Sequence, residues 1–130
     1  MPSTRSAAEI ADHLAIRELT ARYNRAYDEP DEDAWVATFC DDGIFESTGK
    51  RFVEGAEQLR AYFRVAPHAV IHMTSDALID VDGDRARQRC TVVAFRREGD
   101  AVVIHAVGGY DDALRRTPDG WRFAHRVATT

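Results

Sequence analysis

Apolar residues in the first third of the chain recur at mostly helical spacing. Ser6-Ala-Ala-Glu9 fits a capping box at the start of this helix, because the two side chains bond to each other's free backbone amides. Pro30 disfavours helical backbone in the residue before it, so we expect the helix to end near Asp28 or Glu29. The residues that carry the apolar pattern are Ile10, Leu14, Leu19, Tyr23 and Tyr27.

Short elements are predicted between this helix and the middle of the chain. Asp31 or Asp33 is a candidate cap for a second helix over residues 34–39. Asp, Asn and Gly clusters mark turns, and short apolar runs beside them indicate strands. The remaining predicted elements are a turn at Asp41-Asp42-Gly43, strands over residues 44–46 and 51–53 around Gly49, and a third helix after Gly55.

The second half of the chain changes to a period of two residues, which is typical of strands. Asp-Gly, Gly-Asp and Pro-Asp-Gly sequences separate the alternating segments, and such pairs favour hairpin turns. Helices followed by an antiparallel meander indicate an α+β fold with the helices on one face of a curved sheet. The predicted strands cover residues 69–82, 85–97, 101–115 and 121–129.

Charged residues suggest how these strands align. If Asp82-Gly83 is a two-residue turn, oppositely charged side chains face each other twice across the hairpin, which supports that register. The predicted pairs are Asp80 with Arg85, Asp76 with Arg89, His72 with Val93 and, across the turn at Gly99-Asp100, Val93 with Ala106.

The 130 residues suffice for one domain, here predicted over residues 1–130. The net charge of −5 argues against a protein that grips nucleic acid. Apolar stretches are all shorter than the ~20 residues of a membrane span, so no membrane partner is expected. The N-terminal sequence shows no apolar core of a signal peptide, and Cys40 and Cys90 are expected to be buried free thiols. We therefore expect a cytoplasmic protein.

His72 interrupts an apolar segment near the start of a long predicted strand. Imidazole is a candidate general base near neutral pH, and the alternative is an ordinary histidine satisfied by a neighbour or by water. In an unbroken strand His72 shares a face with Asp76 and Asp80 and not with the apolar residues. It points into a pocket only if those polar residues lie at a solvated end of that face, or if a bulge changes the strand's direction.

Asp28 is the second candidate, at the predicted end of the first helix. Acidic residues are common before a proline turn, which is the plain alternative. A carboxylate there opposes the helix dipole, so orienting an imidazole is a reason for its position. Tyr23 and Tyr27 lie one helical turn apart, and a polar pocket would supply partners for their hydroxyls.

The other histidines do not predict a metal site. His68 and His72 lie about 13 Å apart on a strand, which is too far to chelate one ion. His125 is expected opposite a residue near Asp112 and not opposite His105. No phosphate-binding loop, dinucleotide fingerprint or nucleophile elbow occurs in the chain. We therefore expect neither metal nor cofactor.

The order and spacing of several motifs form a wider pattern. They are Tyr23-x-x-x-Tyr27-Asp28, Trp35, Phe39, Asp42-Gly43, Phe45, Gly55, Ile71-His72, Asp80-Val-Asp-Gly-Asp84-x-Ala86, Gly108-Gly109-x-Asp111 and Asp119-Gly-Trp121-Arg122-Phe123-x-x-Arg126. From about residue 8 to residue 127, this pattern resembles the SnoaL-like branch of the nuclear transport factor 2-like superfamily. The resemblance implies a cone, in which a bent mixed or antiparallel sheet wraps around about three N-terminal helices and encloses a deep pocket.

Within the superfamily the chain resembles scytalone dehydratase and hexachlorocyclohexane dehydrochlorinase. The resemblance implies that Asp28 orients His72, that His72 takes a proton from the substrate, and that Arg126 stabilises a leaving group or anion. The implied function is a cofactor-independent lyase or dehydratase, or an isomerase or cyclase, acting on a small apolar, aromatic or cyclic substrate. The other residues expected to contact that substrate are Tyr23, Tyr27, Trp35, Phe45, Tyr62 and Met73.

The chain departs from its relatives at two positions. The second catalytic histidine of scytalone dehydratase would fall near Ala94 or Phe95 and is absent here. His105 replaces it only if its side chain faces inward, although its strand parity differs from that of His72. Ser47 stands where ketosteroid isomerases carry their general base, although Tyr23 matches their oxyanion-binding tyrosine. The alternative function is a non-catalytic ligand-binding or oligomerisation module. In either case the resemblance implies a homodimer or homotrimer formed through the sheet.

Overall fold

The computed structural model describes residues 4–129, and the predicted domain of residues 1–130 extends beyond them at residues 1–3 and 130. Two helices come first, two strands and a third helix follow, and the chain ends in four strands. The described elements are α1 (Ala7–Asp28), α2 (Glu32–Val36), β1 (Phe39–Ser47), β2 (Arg51–Glu54), α3 (Gly55–Val65), β3 (Ile71–Asp82), β4 (Arg85–Glu98), β5 (Ala101–Thr117) and β6 (Gly120–Thr129).

The six strands form one curved, mixed sheet in the order β2-β1-β6-β5-β4-β3. The last four strands make the antiparallel meander that the sequence predicts, and β1 joins it by pairing parallel to β6. Helix α1 packs against β3 and β6, and α3 packs against β1 and β2. The α+β class with helices on one face of a bent sheet is confirmed.

Helix α1 begins and ends where its sequence indicates. The Ser6 hydroxyl accepts a hydrogen bond from the backbone N–H of Glu9 at 3.1 Å, and the helix ends at Asp28. Its buried face packs on the sheet, whereas Ile10 and Leu14 near its start stay exposed. The residues on that buried face are Ile16, Leu19, Thr20, Tyr23, Asn24, Ala26 and Tyr27.

The region after α1 differs from the expected elements. Asp31 caps α2 as predicted, but the helix ends at Val36 because Phe39 already pairs with Phe123 of β6. The turn expected at Asp41-Asp42-Gly43 lies inside β1, at an irregularity in the β1–β6 pairing. A Cβ on Gly43 would lie 2.9 Å from the carbonyl oxygen of Cys40, so glycine is required there for close approach.

The β3–β4 hairpin has a different register from the predicted one. Its turn is Gly83-Asp84, because Asp82 faces Arg85. Asp80 consequently faces Arg87 and not Arg85, and His72 faces Ala94 and not Val93. The predicted charge pairs were therefore wrong, because the turn lies one residue later than expected and each partner of β3 near the turn is shifted by two residues along β4.

The β4–β5 pairing was predicted correctly near its turn and wrongly beyond it. Phe95 faces Ile104 and Glu98 faces Ala101, as a two-residue turn at Gly99-Asp100 requires. A register shift between Ala94 and Phe95 then moves Val93 opposite Val107. His125 lies opposite Ala113, one residue from the predicted neighbourhood of Asp112.

A bulge in β3 decides which way His72 faces. The β3–β4 register shifts between Ser75 and Leu78, and Asp76 within the shift has a positive φ of 57°. Before the bulge, the even-numbered His72 and Thr74 are the more buried residues, and after it the odd-numbered Ile79 is buried. The bulge therefore brings His72 to the same inner side as the apolar residues, which an unbroken strand does not allow.

Candidate functional site

Asp28 and His72 are in direct contact although they are 44 positions apart in the sequence. Asp28 is the last residue of α1, and His72 is the second residue of β3. The Nδ1 of His72 lies 2.6 Å from Oδ1 of Asp28, and the backbone N–H of His72 donates to Oδ2 at 2.7 Å. The side chain of His72 is only 16% exposed, and that of Asp28 is 14% exposed. One carboxylate thus holds both the ring and the strand that carries it.

This contact determines which nitrogen of His72 is available. An ionised carboxylate only accepts hydrogen bonds, so Nδ1 carries the proton that lies between the two side chains. In the neutral ring Nε2 then holds the free lone pair. Among residues 4–129 no side chain or carbonyl bonds to Nε2, so this atom is free to accept a proton from a ligand.

The ring of Tyr27 packs against one side of the His72 imidazole. Its ring meets the His72 ring edge to face, with centroids 5.1 Å apart. The Tyr27 hydroxyl donates to the carbonyl oxygen of Pro67 at 2.6 Å. Burial raises the pKa of Tyr27, so the hydroxyl keeps its proton and its bond. Tyr27 therefore acts on the site through its ring and the position that this bond fixes.

An inner cavity of about 110 Å³ opens beside His72, between the helices and the sheet. Aromatic rings from α1, α3 and β1 form one side of it, and small residues of β4, β5 and β6 form much of the other. Larger grooves of about 580 and 660 Å³ lie elsewhere and include neither Asp28 nor His72. The cavity residues are Tyr23, Tyr27, Phe45, Tyr62, His72, Val92, Ala94, Ala106, Gly108, Tyr110, Ala128 and Thr129.

Three of the residues expected to contact substrate, Trp35, Met73 and Arg126, do not line this cavity. Trp35 is fully buried behind the aromatic side of the cavity. Its ring centroid lies 5.6 Å from that of Tyr23 and 5.9 Å from that of Tyr62. Met73 follows His72 in β3 and so faces the opposite side, where it is 61% exposed. It lines a separate surface groove of about 500 Å³ that also touches Asp28 and His72.

Arg126 also lies outside the cavity lining, and a buried carboxylate binds two of its three guanidinium nitrogens. Arg126 and Asp112 are both 0% exposed and form a two-point ion pair, Nε to Oδ1 at 2.8 Å and Nη2 to Oδ2 at 3.0 Å. Burial opposes the charge of Arg126, but Asp112 outweighs it and raises the pKa of Arg126 above its ordinary value. Gln88 donates from Nε2 to Asp112 and to Thr20, both at 2.9 Å.

Sequence reasoning missed this buried network, although a signal was present. Asp112 lies between Tyr110 and Leu114 on the apolar side of β5, and all three are buried. An acidic residue at such a position needs a cation, because an unpaired buried carboxylate is very costly. Arg126 directly faces Asp112 in the β5–β6 register and supplies that cation.

The remaining histidines have other surroundings. His68 sits between two carbonyl oxygens, with Nδ1 2.9 Å from that of Tyr27 and Nε2 2.7 Å from that of Phe63. His105 is exposed, and its Nδ1 lies 3.2 Å from Nη1 of Arg96, so its side chain does not reach the cavity. Within the described residues, no three histidine, cysteine or acidic side chains cluster closely enough to hold a metal ion.

Comparisons with known proteins agree with this architecture. The family model of the SnoaL-like domain matches residues 8–127. The chain belongs to the SnoaL-like domain family. The predicted resemblance is thereby confirmed at the level of the family. Rv2910c of Mycobacterium tuberculosis, an uncharacterized protein, is 32% identical over 136 residues that cover 95% of this chain and 88% of the relative.

Solved structures of other proteins resemble the chain over most of its length. One is Rv3472 of Mycobacterium tuberculosis, a protein of unknown function, with a TM-score of 0.86 and 32% sequence identity. The match covers 93% of this chain and 72% of the Rv3472 chain. An NTF2-like protein with a cystatin-like fold from Novosphingobium aromaticivorans has a TM-score of 0.85 at 28% identity, and the match covers 98% of this chain and 91% of that protein's chain.

The fold alone extends to more distant proteins. LinA has a TM-score of 0.80 at 21% identity, and the match covers 92% of this chain and 85% of the LinA chain. A Novosphingobium aromaticivorans protein provisionally assigned as a scytalone dehydratase has a TM-score of 0.79 at 20% identity, and the match covers 92% of this chain and 83% of that protein's chain.

No helix within residues 4–129 is long and apolar enough to cross a membrane.

Proposed function

We propose that this SnoaL-like protein is a cofactor-independent lyase or isomerase in which the Asp28–His72 dyad removes a proton from a small substrate. The observation that carries the proposal is the double contact of Asp28 with His72, made at the wall of an aromatic cavity. A base needs a fixed tautomer, an accessible lone pair and a nearby counter-charge for the imidazolium that it becomes. This geometry supplies all three.

The chemical step is a proton transfer from carbon to Nε2 of His72. The electron pair of the broken C–H bond stays on the substrate. In a dehydratase or other lyase it forms a carbon–carbon double bond while a neighbouring group leaves with its own electron pair. In an isomerase or cyclase it moves into an adjacent carbonyl as an enolate. Asp28 stabilises the charged ring in each case, and none of these steps requires a metal or a redox cofactor.

The substrate class follows from the cavity walls. Tyr23, Tyr27, Phe45 and Tyr62 contribute aromatic surface, which favours an apolar cyclic or aromatic ligand. The cavity holds no permanently charged side chain among its lining residues, so a neutral ligand suits it better than an ionic one. Phosphate esters and nucleotides are disfavoured for the same reason.

The test is deuterium incorporation and product formation in D2O, followed by NMR with a panel of small cyclic ketones, β-hydroxy ketones and chlorinated rings. We expect exchange or elimination with at least one compound, and we expect His72→Ala to abolish it. Asp41→Asn is the matched control, since Asp41 is an exposed carboxylate in β1. Unchanged turnover in His72→Ala contradicts the proposal.

The alternative function, a binding or oligomerisation module, has one observation in its favour. Exposed apolar residues of β3 and β5 align across β4 on the outer face, since Ile71, Phe95 and Ile104 are neighbours in register, as are Met73, Val93 and Val107. We propose that a second copy of the chain covers this face, as a homodimer or homotrimer. Analytical ultracentrifugation tests this: Ile104→Lys should shift the protein to monomer, and a wild-type monomer at high concentration contradicts it.

A further inference from the structure

His68 lies in the loop between α3 and β3, and both of its ring nitrogens contact backbone carbonyl oxygens. Nδ1 is 2.9 Å from the oxygen of Tyr27, and Nε2 is 2.7 Å from the oxygen of Phe63. Tyr27 is the next-to-last residue of α1, and Phe63 lies in the last turn of α3. The imidazole therefore joins the C-terminal ends of two helices.

The two carbonyl groups lack their usual helical partners. Within residues 4–129, neither accepts a hydrogen bond from a backbone N–H. The partner of Phe63 would be residue 67, which is a proline and has no N–H. The partner of Tyr27 would be Asp31, whose N–H donates to an earlier carbonyl of α1 instead. The last carbonyls of a helix need partners from outside it, and the ring of His68 supplies one to each helix.

The two contacts define the protonation of the His68 ring. A carbonyl oxygen only accepts hydrogen bonds, so each contact requires an N–H on the ring. A neutral imidazole has one N–H, and its other nitrogen would place a lone pair against an oxygen. Only the doubly protonated ring makes both bonds. The negative ends of the two helix dipoles favour the positive charge of that ring.

Charged side chains near His68 act in both directions. Asp28, Arg96 and Arg97 line the same surface groove of about 290 Å³ as His68. The arginines oppose a further positive charge, although Arg96 is itself paired with Glu98. Asp28 favours the positive charge. The two carbonyl oxygens, at 2.7 and 2.9 Å from the ring nitrogens, add the direct hydrogen bonds that require both protons.

The loop that carries His68 is also tied to the segment that carries Asp28. The Tyr27 hydroxyl donates to the carbonyl oxygen of Pro67 at 2.6 Å, in the opposite direction to the bond from His68 to the Tyr27 oxygen. The rings of Tyr27 and His68 pack together, with centroids 4.4 Å apart. Tyr27 directly precedes Asp28, and His68 lies four residues before His72. These contacts thus connect the two chain segments from which the dyad is built.

We propose that His68, protonated on both ring nitrogens, is a positioning residue that sets the distance between Asp28 and His72. Within the described residues it bonds to neither side chain, so it acts through the backbone at the end of α1 and the start of β3. The inference deepens the proposed function, on which it rests for its effect on catalysis. His68 does not line the inner cavity, so its role does not include contact with a substrate bound there.

Nitrogen-15 NMR of the free protein tests the protonation of His68. Long-range proton–nitrogen spectra at neutral pH distinguish a ring nitrogen that carries a proton from one that does not. We expect two protonated nitrogens for His68, and the loss of these signals in His68→Phe assigns them. A single protonated nitrogen on His68 overturns the proposal.

Two substitutions test the positioning itself. His68→Phe keeps a flat ring in the loop but donates no hydrogen bond, and His68→Gln keeps an amide donor. In His68→Phe we expect the signal of the Nδ1 proton of His72 to move or broaden, because the carboxylate of Asp28 is no longer fixed at 2.6 Å from that nitrogen. His68→Gln should show a smaller change than His68→Phe.

Proton exchange by the same variants connects the positioning to catalysis. With a compound that the wild type turns over, His68→Phe should lower kcat about tenfold and leave KM within about threefold, since the cavity wall is intact. His68→Gln should lose less. His105→Phe is the matched control and should behave as the wild type, because it alters an exposed histidine. Rates are measured well below the unfolding temperature of each variant, so that lower stability alone leaves kcat unchanged.

An unchanged His72 signal in His68→Phe overturns the positioning role, and so does an unchanged kcat. The two proposals fail separately. If the wild type exchanges no proton with any compound, the lyase or isomerase function falls, while the nitrogen spectra and the His72 signal still decide the role of His68. If exchange occurs and His68→Phe behaves as the wild type, the function stands and the positioning role falls.

Discussion

The carboxylate of Asp28 binds His72 at two points, the ring Nδ1 at 2.6 Å and the backbone N–H at 2.7 Å. The ring cannot turn away from the cavity without losing the first bond, and the strand cannot shift without losing the second. This arrangement fixes the His72 ring between the start of β3 and the end of α1. It also explains why an anion is tolerated at the unfavourable C-terminal end of α1.

Asp28→Asn should lower the rate of proton transfer more than it lowers stability. The new amide group donates a hydrogen bond to Nδ1, which moves the ring proton to Nε2 and removes the lone pair that acts as the base. We expect a loss of about 10²- to 10⁴-fold in the exchange rate. Asp41→Asn serves as the control. A loss below tenfold, with normal folding, contradicts the role of Asp28.

The rate should fall in acid, because a base works only in its unprotonated form. We therefore expect the rate to decrease as the pH is lowered. Tyr23 and Tyr110 add no loss up to pH 10, because burial raises the pKa of each. Rates from pH 5 to 10 check this, and a flat acid limb contradicts it.

Stability should decrease at alkaline pH. Burial raises the pKa of Tyr23, Tyr27, Tyr62 and Tyr110 above the ordinary value of 10.0. Above pH 10 the unfolded chain loses these protons while the folded protein keeps them, so the free energy of unfolding falls as the pH rises. Burial of the thiols of Cys40 and Cys90, whose pKa is also raised, acts in the same direction.

Urea denaturation at pH 8, 9.5, 10.5 and 11 measures this effect. The contribution of the tyrosines is fully present below their unfolded pKa and is lost as the pH rises towards their folded pKa. Tyr110→Phe removes one of these groups, so its stability should decline less steeply over the same range. An unfolding free energy that stays constant from pH 8 to pH 11 would falsify the linkage.

Removing the cation of the buried ion pair should destabilise the fold strongly. Arg126→Met leaves the carboxylate of Asp112 buried without its partner, which costs about 3–5 kcal/mol. Adding Asp112→Asn removes the stranded charge, so the double variant should recover a large part of that loss. Urea unfolding of the two single variants and the double variant gives the coupling. A single variant as stable as the wild type contradicts a structural role for the pair.

The bulge in β3 should be sensitive to the residue at position 76. Asp76 has a φ of 57°, which aspartate tolerates better than branched residues do. Asp76→Val should lower the free energy of unfolding by about 1–2 kcal/mol, and Asp76→Gly should leave it within about 0.5 kcal/mol. Equal stability of the two variants would show that the bulge does not depend on this conformation.

The candidate site was predictable to different degrees at different residues. Asp28 and His72 stand out by local context, because one is an anion at a helix end and the other interrupts an apolar strand. Tyr23, Tyr27, Phe45 and Tyr62 were expected at the cavity and line it. The expected substrate contacts of Trp35, Met73 and Arg126 depend on depth and on facing direction, and a sequence pattern does not record either quantity.

The sequence by itself determined the order of helices and strands, the caps and most turns, because these features depend on neighbours along the chain. It also predicted the meander and the family. Only the tertiary structure decided the register, the parallel pairing of β1 with β6, and the partner that occupies Arg126. Each of these depends on contacts between distant segments. A single extra residue at the bulge around Asp76 reverses which side chains of β3 face inward, and this reversal brings His72 to the cavity.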